Sequence, residues 1–254
     1  QVLGTEGSTT TGAADPDGEM EPVVPGHTYY ITKRSKPGIT ITITAYDALC
    51  KLNLPYISSL AYPATLLQIA QDIASKAGLT LANTNFMNYS AVVSSRPDFT
   101  DMTMRQVLGF VAQLAGSYAR LNGTDQIDFC WINSTPGGNP ITASNCFSLS
   151  IEDPTKPISG VIYGDSIIGT DTNAFDLSDN PLLANITAQT TVLNAIYDRV
   201  KNTAYVPYNM SWSGDFAYQP GDCVVIKDRD NVSHTTIIMS DTLTMTGGIS
   251  CSSA

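Results

Sequence analysis

At 254 residues, with 43% hydrophobic and 14% charged side chains and a net charge of −10, the chain can fill one large domain or two ordinary ones. That much apolar content excludes a disordered polyelectrolyte, and the charged fraction lies well under the typical ~25%. Residues 1–24 carry five acids and no base, 25–120 eight Lys and Arg against four Asp, and 121–254 five bases against fourteen acids; the acidic C-terminal half argues against a phosphate-gripping surface.

Residues 1–26 are rich in Gly, Ser, Thr, Pro and acids and read as a loop or terminal arm. Within them Asp15-Pro16-Asp17-Gly18 lacks the third ligand position and closing Glu of an EF-hand loop and reads as a turn. Strands are predicted at His27 to Thr32 and Ile39 to Thr44, around a Lys36-Pro37-Gly38 turn. Strict Ile/Thr alternation in the second makes it a half-buried strand with Ile on one face. A short helix follows over Ala45 to Leu52, with Asp47 suited to its positive start.

Two stretches then share one plan. Thr103 and Gln106 form a capping-box start, and Met104, Val107, Leu108, Val111, Leu114 and Ala115 make an apolar helical stripe. Gly116 is placed to end that helix, and Asn122-Gly123 between two strand-like runs signals a hairpin. Thr65 to Gly78 aligns on Thr103 to Gly116 without gaps at an offset of 38, with Thr, Gln, Ala, Ala and Gly coinciding. Two units are too few for a solenoid, so a pair of related helix–strand units packed on each other is expected. Any capped amphipathic helix shares some of these signals, which is the plainer explanation.

Thr135-Pro136-Gly137-Gly138-Asn139-Pro140 is the clearest linker, and β-type patterning resumes at Cys146 to Ile151 and Pro157 to Tyr163. Asn180-Pro181-Leu182-Leu183 precedes a third helix over about Thr190 to Lys201, with Val192, Leu193, Ile196, Tyr197 and Val200 on its apolar face. The remainder reads as strands at Val206 to Trp212, Cys223 to Lys227 and Ser233 to Met245. Pro220-Gly221-Asp222 and Asp228-Arg229-Asp230-Asn231 are the turns. The division that follows is an acidic N-terminal stretch (1–26), a discontinuous first β domain (27–62 with 141–170), an insertion (63–140) and a second β domain (171–254).

No catalytic, cofactor-binding or metal-binding constellation stands out. His27 and His234 are the two histidines, each within a strand-like run, and no G-x-S-x-G elbow anchors a triad. Three of the four glutamates (Glu6, Glu19, Glu21) lie in the N-terminal stretch and Glu152 stands alone, so no carboxylate pair is indicated; Asp222, Asp228 and Asp230 sit where turns call for aspartate. Gly137-Gly138 lacks the Lys and following helix of a phosphate loop. Cys50, Cys130, Cys146, Cys223 and Cys251 are widely spaced with no C-x-x-C, and read as buried free thiols rather than a disulfide framework or zinc site. Six N-x-S/T sequons are what so many Asn, Ser and Thr produce by chance. No apolar run reaches the ~18 residues of a membrane span and no signal-peptide pattern opens the chain. A start at Gln1 rather than Met suggests a piece of something longer.

Ile41 to Leu52, Thr103 to Phe129, Ser159 to Tyr163 and Asn180 to Leu183 occur in the order of the strand and helix, insert, and later elements of siphophage and prophage tail-tip hub proteins. Tyr205-Val206-Pro207, Gly214-Asp215-Phe216 and Gly221 to Asp228 resemble that family's second barrel; Phe216 stands where Pro is common and Asn231 where Gly is common. The chain therefore resembles the N-terminal structural region of tail-associated lysins, or prophage endopeptidase tail proteins, over about residues 25–248. The familiar start of the family's first barrel is missing or replaced by residues 1–24. The resemblance implies an α+β fold: two barrel-like, mainly antiparallel β domains with an α+β insertion carrying two helix–strand units. It implies a homotrimeric hub ring in the virion tail tip, made in the bacterial cytoplasm, with distal tail protein and tape-measure protein as partners. DNA would pass through the lumen without specific nucleic-acid binding, and any peptidase or lysin activity would lie C-terminal to this segment.

Two alternatives compete with a hub. Thr65 to Ala70 is reminiscent of the first helix of a LysM module, which would give cell-wall contact through peptidoglycan, but its second short helix and Leu/Asn ending are missing. A cell-wall hydrolase is disfavoured by the missing catalytic cluster.

Overall fold

The computed structural model describes residues 28–36, 42–132, 135–215, 218–245 and 249–254. The fold is α+β, with mostly antiparallel sheets and three α-helices among the described residues. The chain divides into two compact units, Gln1–Phe129 with Leu177–Ile196, and Cys130–Asp176 with Tyr197–Ala254. The described strands from 27–62 thus fall in the first unit and those from 141–170 in the second.

In the first unit, β1 (Tyr30–Ser35) and β2 (Thr42–Tyr46) pair antiparallel with an irregularity between Ile31 and Lys33. Of the three isoleucines expected on one face, Ile43 is 51% exposed, and Ile39 and Ile41 lie outside the described residues. Alternation buries one face only where another layer covers it, and among the described residues β1 and β2 make a sheet of two strands. The expected short helix is a 3-10 helix, Ala48–Asn53, whose first turn Asp47 caps by accepting from Leu49 N at 3.1 Å.

Helices α1 (Leu66–Lys76) and α2 (Met104–Leu114) pack on each other and share their end chemistry. Each starts in a reciprocal capping box: Thr65 N donates to Gln68 Oε1 and Thr103 N to Gln106 Oε1, both at 2.8 Å, while each Gln N–H returns to the Thr hydroxyl at 3.2 Å. Each ends in a left-handed glycine, Gly78 at φ 64° and Gly116 at φ 53°. Leu79 N to Ala74 O at 2.8 Å, and Ser117 N to Ala112 O at 2.9 Å, close the same Schellman motif. Because both boxes are exposed, Thr65→Ala and Thr103→Ala should each lower stability by about 1 kcal/mol and roughly additively, measurable in urea melts.

The helices bury Leu66, Ile69, Ile73, Val107, Val111 and Leu114 completely. Short strands β3 (Ala64–Thr65) and β4 (Val92–Val93) pair beside α1. The predicted hairpin is present as β5 (Tyr118–Leu121) and β6 (Ile127–Cys130), but its loop is longer than an Asn-Gly pair. Asn122 Oδ1 accepts from Thr124 N and Gln126 N, and Asp125 takes the left-handed position at φ 58°. Residues 177–196 complete the unit. A 3-10 turn at Leu183–Asn185 and the start of α3 (Gln189–Val200) add Leu182, Leu183, Val192, Leu193 and Ile196 to the buried set. Asn180, 2% exposed, ties this segment to α2 by donating to Phe110 O at 3.0 Å and Gln113 Oε1 at 2.9 Å.

The second unit centres on a four-stranded antiparallel sheet in the order β14 (Asp241–Met245), β15 (Ile249–Ser253), β11 (Tyr208–Trp212), β7 (Cys146–Ile151). A smaller sheet joins β8 (Gly160–Tyr163) antiparallel to β9 (Ser166–Gly169) and parallel to β10 (Ala174–Asp176). A third is the hairpin β12 (Cys223–Lys227) and β13 (Ser233–Ile237). The run 233–245, expected as one strand, breaks at Ile238 to Ser240. Ile238 N donates to Asp222 O, and Met239 N and Ser240 N donate to Ala254 O, so the chain leaves one sheet for another. Tyr208, Met210, Trp212, Val224, Ile226, Ile238 and Cys251 form the core.

Candidate functional site

His27, Glu6, Glu19, Glu21 and Asp15 to Gly18 lie outside the described residues. His234 lies on β13, half-buried, with Nε2 2.9 Å from Asp228 Oδ2. Asp228 Oδ1 also accepts from Asp230 N and Val232 N, each at 2.9 Å, which organises the expected turn with Asn231 at φ 62°. The His234 hydrogen bond and these amides hold the Asp228 carboxyl below its usual range. Asp222 Oδ2 accepts from Gln219 N at 2.9 Å in its own turn. Asp222 and Asp228 therefore do the backbone work the sequence suggested. Among the described residues no three His, Cys, Asp or Glu side chains are placed to share a metal ion.

The structure does bring together groups far apart in sequence. Strand β11 pairs with β7, and Glu152 N donates to Pro207 O. This sets Glu152 and Asp153 beside Asp228, Arg229, Asp230 and His234 around an open cleft of about 1240 Å³, with Leu149 and Ile151 on its floor. Sequence reasoning left Glu152 isolated; only the β7–β11 pairing, 57 residues apart at Tyr208 and Ile151, places it here.

The four-stranded sheet has two contrasting faces. Inward lie Leu149, Ile151, Tyr208, Met210, Trp212, Leu243 and Cys251. Outward, Ser148, Ser150, Asn209, Ser211, Thr242 and Ser252 line a shallow groove of about 580 Å³ without a charged side chain. Behind the sheet, Trp212 Nε1 donates to Ser253 Oγ at 2.8 Å, and Ser253 Oγ and Cys251 Sγ both donate to Asp241 Oδ1. Burial, then the Asp241 hydrogen bond, raises the Cys251 thiol, which makes it less of a nucleophile. None of the five cysteines is in a disulfide; Cys223 and Cys251 are buried, whereas Cys50, Cys130 and Cys146 are only half-buried.

Tyr208 is 3% exposed, and its hydroxyl is the buried side-chain group among the described residues with no hydrogen-bond partner. Burial pushes its ionisation well above the normal phenol range, so it is no base. Since an unpaired buried hydroxyl costs free energy, Tyr208→Phe should leave stability unchanged or raise it by up to about 1 kcal/mol, read from the urea midpoint.

Taken together, these groups build turns, a sheet and a core. No helix among the described residues is long and apolar enough to cross a membrane.

No family model matches the chain, and no curated protein matches it in sequence. Solved structures do match in fold. A tail protein from Neisseria meningitidis MC58 superposes with a TM-score of 0.61 over 93% of this chain and 80% of that one, at 16% identity. The 43 kDa tail protein of prophage MuSo2 from Shewanella oneidensis superposes with a TM-score of 0.56 over 89% and 75%, at 12% identity. The chain therefore has a fold found in tail proteins, one of them from a prophage.

Proposed function

We propose that this chain is a structural component of a bacteriophage or prophage tail tip. The observation that carries the reading is a fold shared with two tail proteins across about nine-tenths of the chain. In this reading three copies form a hub ring that joins tail tube to tip, with distal tail protein and tape-measure protein as neighbours and two barrel-like β domains in each copy. The protein is made in the bacterial cytoplasm and resides in the virion. In this reading it is not itself an enzyme, and any lysin activity belongs C-terminal to this segment.

Passage of DNA through the ring asks for a wall that does not grip phosphate. The net charge of −10 and the uncharged outer face of the four-stranded sheet both suit that demand. The reading is tested by antibody labelling of phage-like particles from the source bacterium in the electron microscope. Label confined to the tail tip is the expected result; label on the capsid, or on no particle, would overturn it.

A further inference from the structure

Two surfaces of the chain are unfinished in complementary ways. The first is the β1–β2 hairpin. Among the described residues it forms a sheet of two strands, an arrangement that is marginal unless something covers it. Its anchors include Lys51 Nζ, 4.5 Å from the centre of the Tyr30 ring. Thr32, Lys33, Arg34 and Ser35 are exposed in a row, and Tyr29, Ile43 and Tyr46 are each at least half exposed. The hairpin is thus cationic and aromatic, and it carries no acid over residues 28–46.

The second surface is the β7 edge of the four-stranded sheet. Among the described residues β7 is paired on one side only, by β11. Its sequence, Cys-Phe-Ser-Leu-Ser-Ile, has none of the Lys, Pro or inward charge that usually guards a sheet edge, and Phe147 is 63% exposed. At the end of β7 the cleft opens, with Leu149 and Ile151 below and Glu152, Asp153, Asp228 and Asp230 around it, against one cation, Arg229.

From this complementarity we infer that the β1–β2 hairpin of one copy docks at the β7 edge and acidic cleft of the next copy. Lys33 and Arg34 meet Glu152, Asp153 and Asp230, and the hairpin's apolar side chains cover Leu149, Ile151 and Phe147. A strand added to an open edge gains backbone hydrogen bonds, and the opposed charges fix its register. Different patches meet, so the contact is head-to-tail and closes into a ring when the rotation allows. The inference rests on the self-assembly in the proposed function and names the surfaces that carry it.

The test is a charge swap in the full 254-residue chain, read by sedimentation equilibrium at low salt. Lys33→Glu with Arg34→Glu should weaken self-association by roughly 100-fold or more. Adding Glu152→Lys, Asp153→Lys and Asp230→Lys to the same chain should restore it. All five residues are exposed, so unchanged circular dichroism should accompany both variants. Self-association that is absent in the unaltered chain, that survives the hairpin reversal, or that the second set fails to restore would overturn the inference. So would its loss on removing residues 1–26, which would make that acid-rich stretch the hairpin's occupant. Each of these failures leaves the particle-labelling result untouched, so the docking site and the tail-tip reading can fail separately.

Discussion

Trp212→Ala should destabilise the second unit by about 4 kcal/mol, the largest effect expected of any single truncation there. The side chain is 2% exposed at the end of β11, tilted against Tyr218 with ring centres 5.9 Å apart, and its indole N–H is spent on Ser253. Truncation removes the ring, leaves a cavity bounded by neighbours on β7 and β15, and strips Ser253 of its donor. Trp212→Phe keeps most of the packing and loses one buried hydrogen bond, so about 1 kcal/mol is expected. Urea unfolding followed by circular dichroism separates the two; equal midpoints for the alanine variant and the unaltered protein would contradict the packing described here.

Asn180→Asp should be almost as damaging, and its effect should depend on pH. The Asn180 amide nitrogen faces two acceptors, Phe110 O and Gln113 Oε1, while its oxygen takes Leu182 N at 3.1 Å. A carboxylate there would be buried against two oxygens, so its folded-state pKa must rise above the unfolded value of about 3.9. The resulting penalty is absent below the unfolded pKa. It grows as pH rises from there to the folded pKa, and it is constant above that. At pH 7 a loss of about 3 kcal/mol is expected, larger than the roughly 2 kcal/mol for Asn180→Ala, which merely orphans the partners. Stability measured between pH 3 and pH 7 should show the two variants converging in acid. A parallel offset at every pH would mean that the side chain at position 180 is solvated.

What could be read from the residues is what short range determines. The Thr65–Gln68 and Thr103–Gln106 boxes, the glycine ends at 78 and 116, and the Asp228 turn are settled within about six residues, and each is present with hydrogen bonds in place. Strands β7 and β12 also start and stop where patterning placed them. Long-range pairing was not legible. Strand β10 lies parallel to β8, β15 enters between β14 and β11, and residues 233–245 split between two sheets. Each depends on a partner many residues away. The exposed Ile43 shows the same limit, since alternation marks a face fit for burial and tertiary context decides whether anything covers it. Absence of a catalytic cluster was a reading of composition, and the cleft carboxylates could be grouped only once β7 and β11 were paired.

The division of the chain also bears on how the protein comes off the ribosome. Leu182, Leu183, Val192, Leu193 and Ile196 belong to a core whose other members end by Phe129. During synthesis the chain up to Phe129 emerges with that apolar surface still uncovered, and 47 further residues, from Cys130 to Asp176, must follow before its cover begins to appear. At about 5–20 residues per second this leaves an interval of several seconds in which α1 and α2 expose buried side chains. Asn180, waiting to cap Phe110 and Gln113, is then the latch that closes the first unit late, after much of the second has already been made.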